Sequence, residues 1–285
     1  MSAFDVALVT CRRWPDGDPH DAALAPALAS AGLTCRFIAW DDPVDWSTIG
    51  LALIRSTWDY HERRTEFLAW ARATEQRTRL WNPAAVLAWS THKRYLLDLE
   101  RRGLPIVPTV LRPAGASLDL AATLAERGWD TAVVKPAVSL GGIGALRVTR
   151  AAPAAGQAHL DDKLAAHDAL IQPYLASVED PGERDLVFLG GEYSHAVRRS
   201  PAFEKGYSPG ESRAVEPDPD EQALATRALA AIPGPHLYAR VDLVRTADGH
   251  AAILELELVE PSLFLKQSPR AVPTLVALIA AKLAS

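Results

Sequence analysis

Short apolar runs alternating with helix-like stretches open the chain. Residues 4–10 (FDVALVT) are apolar up to a polar end and predict a strand. The Ala/Leu-rich residues 21–31 predict a helix that stops at Gly32. Residues 33–39 and 51–55 read as two further strands. Residues 64–76 carry Phe67, Leu68 and Ala71 at helical spacing. Strand and helix in alternation predict a parallel α/β sheet over roughly the first 80 residues.

Asn82-Pro83 predicts a turn out of that unit. Ser90 is placed to cap a helix over 91–102, whose Leu96, Leu97 and Leu99 form an apolar stripe before Gly103. A strand at 109–111, a helix at 118–127 and a strand at 131–135 follow. The Gly-rich residues 138–144 then lead into a strand at 145–149. Residues 151–156 read as an Ala/Pro/Gly linker before a helix reaching His167, and 169–174 as a strand. The last third is strand-rich. Runs at 184–189 and 193–199 flank Gly190-Gly191, and runs at 237–245 and 251–259 flank Asp248-Gly249, both hairpin signals. Residues 203–219 read as a polar loop free to move, 220–231 as a helix and 269–284 as a closing helix. No internal repeat is present. The expected units are 1–88, 89–175 and 176–285.

Composition narrows the class. The chain has 285 residues, 48% hydrophobic and 23% charged, with a formal net charge of -5; it is globular and has no basic stripe, which argues against nucleic acid as a partner. Two cysteines, Cys11 and Cys35, form neither a disulfide framework nor a metal-type spacing, as expected of thiols in a reducing cytoplasm. No apolar run reaches the ~18 residues of a membrane span, and the start lacks a signal-peptide pattern. Only six lysines occur, so each one at a strategic position counts.

Three acids near the C-terminus carry the first chemical signal. Glu255 and Glu257 are two residues apart and share one strand face, and the Asp248-Gly249 hairpin brings Asp242 near one of them. A solvated acidic face would satisfy that pattern. So would a magnesium site, since three hard oxygen donors repel unless a cation lies between them. Arg240 alternates onto the face of Asp242, suited either to an internal ion pair or to a phosphoryl oxygen. Lys135 ends an apolar strand just before Ser139, Gly141, Gly142 and Gly144. Such glycines let backbone N–H groups approach a polyphosphate, although many Gly-rich loops are simply turns. The loop is neither a Walker A loop nor a Rossmann fingerprint. Lys93 is a second nucleotide contact or else a helix-surface lysine.

These residues in this order resemble the ATP-grasp superfamily: Asn82-Pro83, Lys93, Val134-Lys135-Pro136 with its Gly-rich loop, Gln172-Pro173-Tyr174-Leu175, Arg240-Val241-Asp242 and Glu255-Leu256-Glu257. The resemblance spans about residues 82–262. Within the superfamily the pattern is similar to bacterial glutathione synthetases and to the ligases of D-cycloserine biosynthesis. The segments at 55–60 (RSTWDY) and 191–197 (GEYSHAV) look like the latter.

The resemblance implies an α/β (α+β) fold, with an N-terminal parallel α/β substrate domain and two sheet-containing domains that clamp ATP. It implies ATP and Mg2+ as cofactors. Lys93, Lys135, Ser139, Gly141 and Gly142 would hold phosphates; Gln172, Pro173, Tyr174 and Leu175 would read adenine; Glu183 would sit near the ribose. Asp242, Glu255 and Glu257 would bind magnesium, and Arg240 would steady an acyl phosphate. Arg198 would meet the substrate carboxylate, with Arg55, Ser56, Trp58, Asp59, His195 and Ser262 around an amino-acid-like small molecule. For the 55–60 stretch, an Arg–Asp pair with packed aromatics at a domain interface stays open. Two departures stand out: the family usually has Asn where this chain has Glu257, and residues 203–213 lack a match to glutathione synthetase. The implied reaction is carboxylate–amine ligation through an acyl phosphate, extending to ring closure of an O-ureido or aminooxy serine. A small-molecule kinase and a non-catalytic nucleotide-binding regulator are the alternatives. A cytoplasmic location is expected, and a homo-oligomer is left open.

Overall fold

The computed structural model describes residues 3–199 and 212–285. Four parallel strands form the first sheet: β1 (Phe4–Thr10), β2 (Cys35–Ala39), β3 (Ile49–Ser56) and β4 (Arg79–Trp81), in the order β2-β1-β3-β4. Its period-two alternation covers both faces. Ala7 and Val9 pack toward α2 (Arg64–Glu75), while Val6 and Leu8 pack toward α1 (Leu24–Ser30). Buried on both sides, these strands read as continuous apolar runs. The short strand β4 and the helix α3 (Ala84–Ser90) were not expected.

The expected helix over 91–102 is divided. Ser90 ends α3 instead of capping a new helix, and α4 (Tyr95–Arg101) starts after a turn. Tertiary bonding causes the break: the Lys93 amide donates to Ala137 O at 2.8 Å and its ammonium to Ser139 O at 2.8 Å.

The second sheet is antiparallel, ordered β5-β8-β6-β7. It comprises β5 (Val110–Arg112), β6 (Thr131–Pro136), β7 (Leu146–Thr149) and β8 (Ala169–Pro173), backed by α5 (Leu120–Arg127) and α6 (Pro153–Leu164). Asp119 caps α5, its carboxylate accepting from Ala122 N at 2.8 Å. The expected linker at 151–156 is mostly helix. Pro153 sits in the first turn of α6, where its missing N–H costs nothing, and Gly156 fits closely against Val148 and Leu120.

The third sheet is antiparallel, ordered β11-β10-β9-β12-β13. Its strands are β9 (Glu183–Leu189), β10 (Glu192–Arg199), β11 (Ser212–Val215), β12 (Tyr238–Arg245) and β13 (Ala251–Glu257). Both hairpins form where the glycine pairs predicted them, with positive φ at Gly190, Gly191 and Gly249. Residues 212–215 of the expected loop are strand, paired to β10; residues 203–211 lie outside the described residues. The helix α7 (Pro219–Leu229), opened by an Asp218/Glu221 capping box, covers one face together with α4. The closing helix α8 (Ala271–Ala284) packs between the first and third sheets. Among the described residues, no helix is long and apolar enough to cross a membrane.

Candidate active site

A cleft of about 420 Å³ opens where the three sheets meet. One β-bulge in each hairpin sets its polar wall. Between β12 and β13 the register slips at Leu254, so Asp242 faces Glu255 and Arg240 faces Glu257. Across the other edge of β12, Asp242 faces Asp185. Asp185, Asp242 and Glu255 therefore form an acidic row over three neighbouring strands. Leu254 is the extra residue of the bulge and lines the cleft.

The second bulge, between Tyr193 and His195, decides which arginine joins the row. It pairs Arg199, not Arg198, with Glu183. Arg199 reaches Asp185 at 2.7 Å, Glu183 at 2.5 Å and Asp242 at 3.4 Å. Arg198, expected to meet substrate, does not line the cleft: it is bonded to Pro181 O and paired with Asp180 at 3.6 Å. Without the bulge, counting back through Gly190-Gly191 would pair Arg198 with Glu183.

Two lysines face this row, Lys135 from β6 of the second sheet and Lys93 from the turn between α3 and α4. Lys135 Nζ lies 2.9 Å from one Glu255 oxygen and Lys93 Nζ 3.4 Å from the other. Burial alone would raise the Glu255 carboxyl, but the two ammonium groups outweigh it and hold the pKa at about 2. Arg240 grips Asp242 at 2.7 and 2.9 Å and Glu257 at 2.7 Å. Burial pushes Asp242 and Glu183 up despite their arginines.

The Gly-rich loop lies beside the lysines, and Ser139, Gly141 and Gly142 line the cleft. Gly141 and Gly142 have φ of 55° and 76°, and a Cβ on Gly142 would meet nothing within 4 Å. The loop thus presents open backbone. Gln172, Pro173, Tyr174 and Leu175 line another wall, where Tyr174, Leu175 and Leu254 pack with the apolar Val107 and Val244. The Gln172 side chain is tied back to Thr109 Oγ1 at 2.9 Å.

The N-terminal residues divide. Trp58 lines the cleft, its indole N–H donating to Glu260 O at 3.2 Å, and Ser262 lines it while donating to Asp18 at 2.7 Å. Arg55 does not reach the cleft. It is 1% exposed, paired with Asp21 at 2.5 Å, donating to Pro261 O at 2.9 Å and lying over the Tyr238 ring. Ser56 accepts from Asp18 N at 2.9 Å, and Asp59 accepts from Trp40 Nε1 at 2.8 Å. His195 bridges Leu263 O and Ser194 Oγ, each at 3.0 Å. These four do not line the cleft: each is held by internal bonds that fix the 18–21 and 260–263 segments or the core beneath them. Sequence reasoning missed Asp185, Arg199, Asp18 and Glu260. Asp185 had a signal, the same two-residue spacing from Glu183 that marked Glu255 and Glu257. Glu260 lies beyond the strand, where alternation no longer applies.

The donor set suits a divalent ion. Among the described residues, Glu183, Asp185 and Asp242 are the group of acids whose oxygens lie within 4.8 Å of one another, and Asp185 Oδ1 is buried without a partner. Asp242, Glu255 and Glu257 share the face but do not close into such a group, because the lysines draw Glu255 aside and Arg240 draws Glu257. The expected magnesium triad thus competes with internal cations.

Three sheets around a cleft walled by two lysines, an acidic row and a glycine loop define an ATP-grasp ligase, the class of enzyme that joins carbon to nitrogen. Similarity to known proteins narrows it. Residues 6–82 match the family model described as D-cycloserine synthetase DcsG, N-terminal domain. The cycloserine biosynthesis protein DcsG of Streptomyces lavendulae is 36% identical over 261 residues, covering 85% of this chain and 86% of that protein. A crystal structure of D-cycloserine synthetase DcsG superposes with a TM-score of 0.88 at 34% identity, over 98% of this chain and 99% of that one. D-alanine–D-alanine ligase from Bacillus anthracis, solved with ATP, shares the fold at a TM-score of 0.73 and 14% identity, over 99% and 98% of the two chains. The chain belongs to the DcsG family.

Proposed function

We propose that this chain uses ATP and magnesium to activate the carboxylate of a small amino-acid-like substrate as an acyl phosphate, releasing ADP, and that a nitrogen of the same molecule then attacks the acyl carbon and expels inorganic phosphate. The substrate class is an O-ureido or aminooxy serine, and the product is a five-membered ring. The observation that carries this reading is the meeting of Lys93 and Lys135 on Glu255, at one end of the acidic row.

A triphosphate entering the cleft would take over the lysines and give the glycine loop its acceptors. Glu255, released from both ammonium groups, would then join Asp242 and Glu257 as oxygen donors to magnesium. The ion supplies charge neutralisation at the transferring phosphoryl group. Glu257 is a harder and more charged donor than the Asn usual at its position, in keeping with its pairing to Arg240. Arg240 is placed to steady an acyl phosphate once it shares Asp242 with a metal. Adenine would lie along the backbone at 172–175 and the adjoining apolar surface of Val107, Val244 and Leu254. The substrate would occupy the opposite end, against Trp58 and Ser262. Division into three units near residues 88 and 175 is supported by the three sheets.

The test is magnesium-dependent ADP release across a panel of carboxylates that includes both enantiomers of O-ureidoserine, with mass spectrometry of the product. Release of ADP with a cyclised product is expected. A stable phosphorylated substrate would make the chain a kinase. No magnesium-dependent ADP release with any panel member would overturn the ligase reading.

A further inference from the structure

Of the described acids that line the cleft, Glu260 and Asp18 lack a lysine or arginine partner, and Asp18 accepts instead from Ser262 Oγ and His20 N. Glu183, Asp185, Asp242, Glu255 and Glu257 each have a lysine or arginine partner within 4.0 Å. The Glu260 carboxylate forms no ion pair with any described basic side chain, yet the residue is only 7% exposed and lines the cleft. Its backbone is fixed from the first unit by the Trp58 indole, and the neighbouring Pro261 O is held by Arg55. Two internal anchors thus hold a carboxylate with no ion-pair partner at the proposed substrate end. A buried charge of this kind is costly unless a cation meets it.

The cation it suits is singly charged and hydrogen-bonding. A divalent metal needs several oxygens, and Glu260 is not among the described acids whose oxygens gather within 4.8 Å of one another. We propose that Glu260 binds the α-ammonium group of the substrate and so selects amino acids over plain carboxylic acids. This rests on the ligase reading for the identity of the substrate, and it adds the residue that recognises the one substrate group taking no part in ring closure. Burial and the neighbouring Glu257 raise the free carboxyl to about 8, so an arriving ammonium group also restores its ionised form.

The test compares O-ureidoserine with its desamino counterpart, by calorimetry in the presence of a non-hydrolysable ATP analogue and by ADP release. Wild-type protein is expected to bind O-ureidoserine at least tenfold more tightly than the desamino compound. Glu260→Gln should lose that preference, with affinity for the ATP analogue unchanged, and Glu260→Asp, which keeps the charge, should retain part of it. Equal binding of the two ligands by wild-type protein overturns the assignment without any variant, as does a preference that survives Glu260→Gln. If wild-type protein shows the preference but releases no ADP, the ligase reading fails and the ammonium contact stands. If it binds the ATP analogue but neither ligand, the proposed substrate and the ammonium contact fall together.

Discussion

Glu255 and Glu260, five residues apart, show how neighbours set the behaviour of one functional group. Glu255 lies between two ammonium groups that outweigh its burial and is held at about 2; Glu260 is raised to about 8 by burial and, after it, by the neighbouring Glu257. Both are compared with an ordinary glutamate at 4.5. For Glu255 the stabilisation is complete above the ordinary value and is lost as pH falls toward 2. For Glu260 the sign reverses: the folded state is favoured below the ordinary value, and that advantage is lost as pH rises toward 8. A tenfold change in proton affinity between the folded and unfolded chain is worth about 1.4 kcal/mol, so the Glu260 effect amounts to several kcal/mol. Thermal denaturation of the free protein should therefore show a falling Tm from pH 5 to pH 8.5, and Glu260→Gln should flatten that fall. Parallel curves for the two proteins would show that Glu260 is not held protonated. Lys135→Ala addresses the other acid. It should lower ATP turnover by about 100-fold or more, the scale of losing one preorganised charge at a reacting centre, while the fold persists. Full activity in that variant, measured as ADP release, would remove Lys135 from the site.

Strands and turns were legible because their signals are local; what placed side chains on faces was not. Alternation and the pairs Gly190-Gly191 and Asp248-Gly249 located both hairpins of the third sheet. Each hairpin then contains a bulge that no local pattern announces. One bulge gives the site Arg199 in place of Arg198, and the other turns Leu254 into the cleft. The helix over 91–102 was misread for a related reason. Its residues favour helix, but Lys93 is held by Ala137 O and Ser139 O, partners more than forty positions away. The glycine loop was legible, since only glycine adopts its backbone freely. Gly142→Ala tests it as an element. The added methyl meets open space, so the folding cost is only that of a left-handed alanine, about 1 kcal/mol. If the loop's backbone must touch phosphate, KM for ATP should rise about tenfold while Tm moves by only a few degrees. An unchanged KM would make the loop a turn and nothing more.

Across the whole molecule, the cleft exists only because the first and third sheets are locked together, and few polar residues do the locking. Asn82 follows β4 at the edge of the first sheet and is fully buried. Its amide N–H2 donates to Tyr238 O at 3.0 Å and Leu258 O at 2.7 Å, and its oxygen accepts from Leu237 N at 2.7 Å. It thus binds the start of β12 and the exit of β13. The Tyr238 hydroxyl reaches back, 2.6 Å from Ile54 O and 2.7 Å from Val259 O. Asn82 was legible as a motif residue before a proline, but its partners, some 155 positions away, were not. Asn82→Ala would strand one amide and two carbonyls in a dry interface, each at a cost of about 1–3 kcal/mol, enough to remove much of a typical domain's stability. Asn82→Asp separates hydrogen bonding from size. It keeps an acceptor for Leu237 N but turns a carboxylate oxygen toward two carbonyl oxygens. At pH 7 it should destabilise at least as much as the alanine variant; below pH 4, where the carboxyl gains a proton and can donate again, it should recover part of the loss relative to Asn82→Ala. Urea unfolding of both variants against wild type, at the two pH values, measures this. Equal losses at both pH values would mean that size, and not the donated bonds, holds the first sheet to the third.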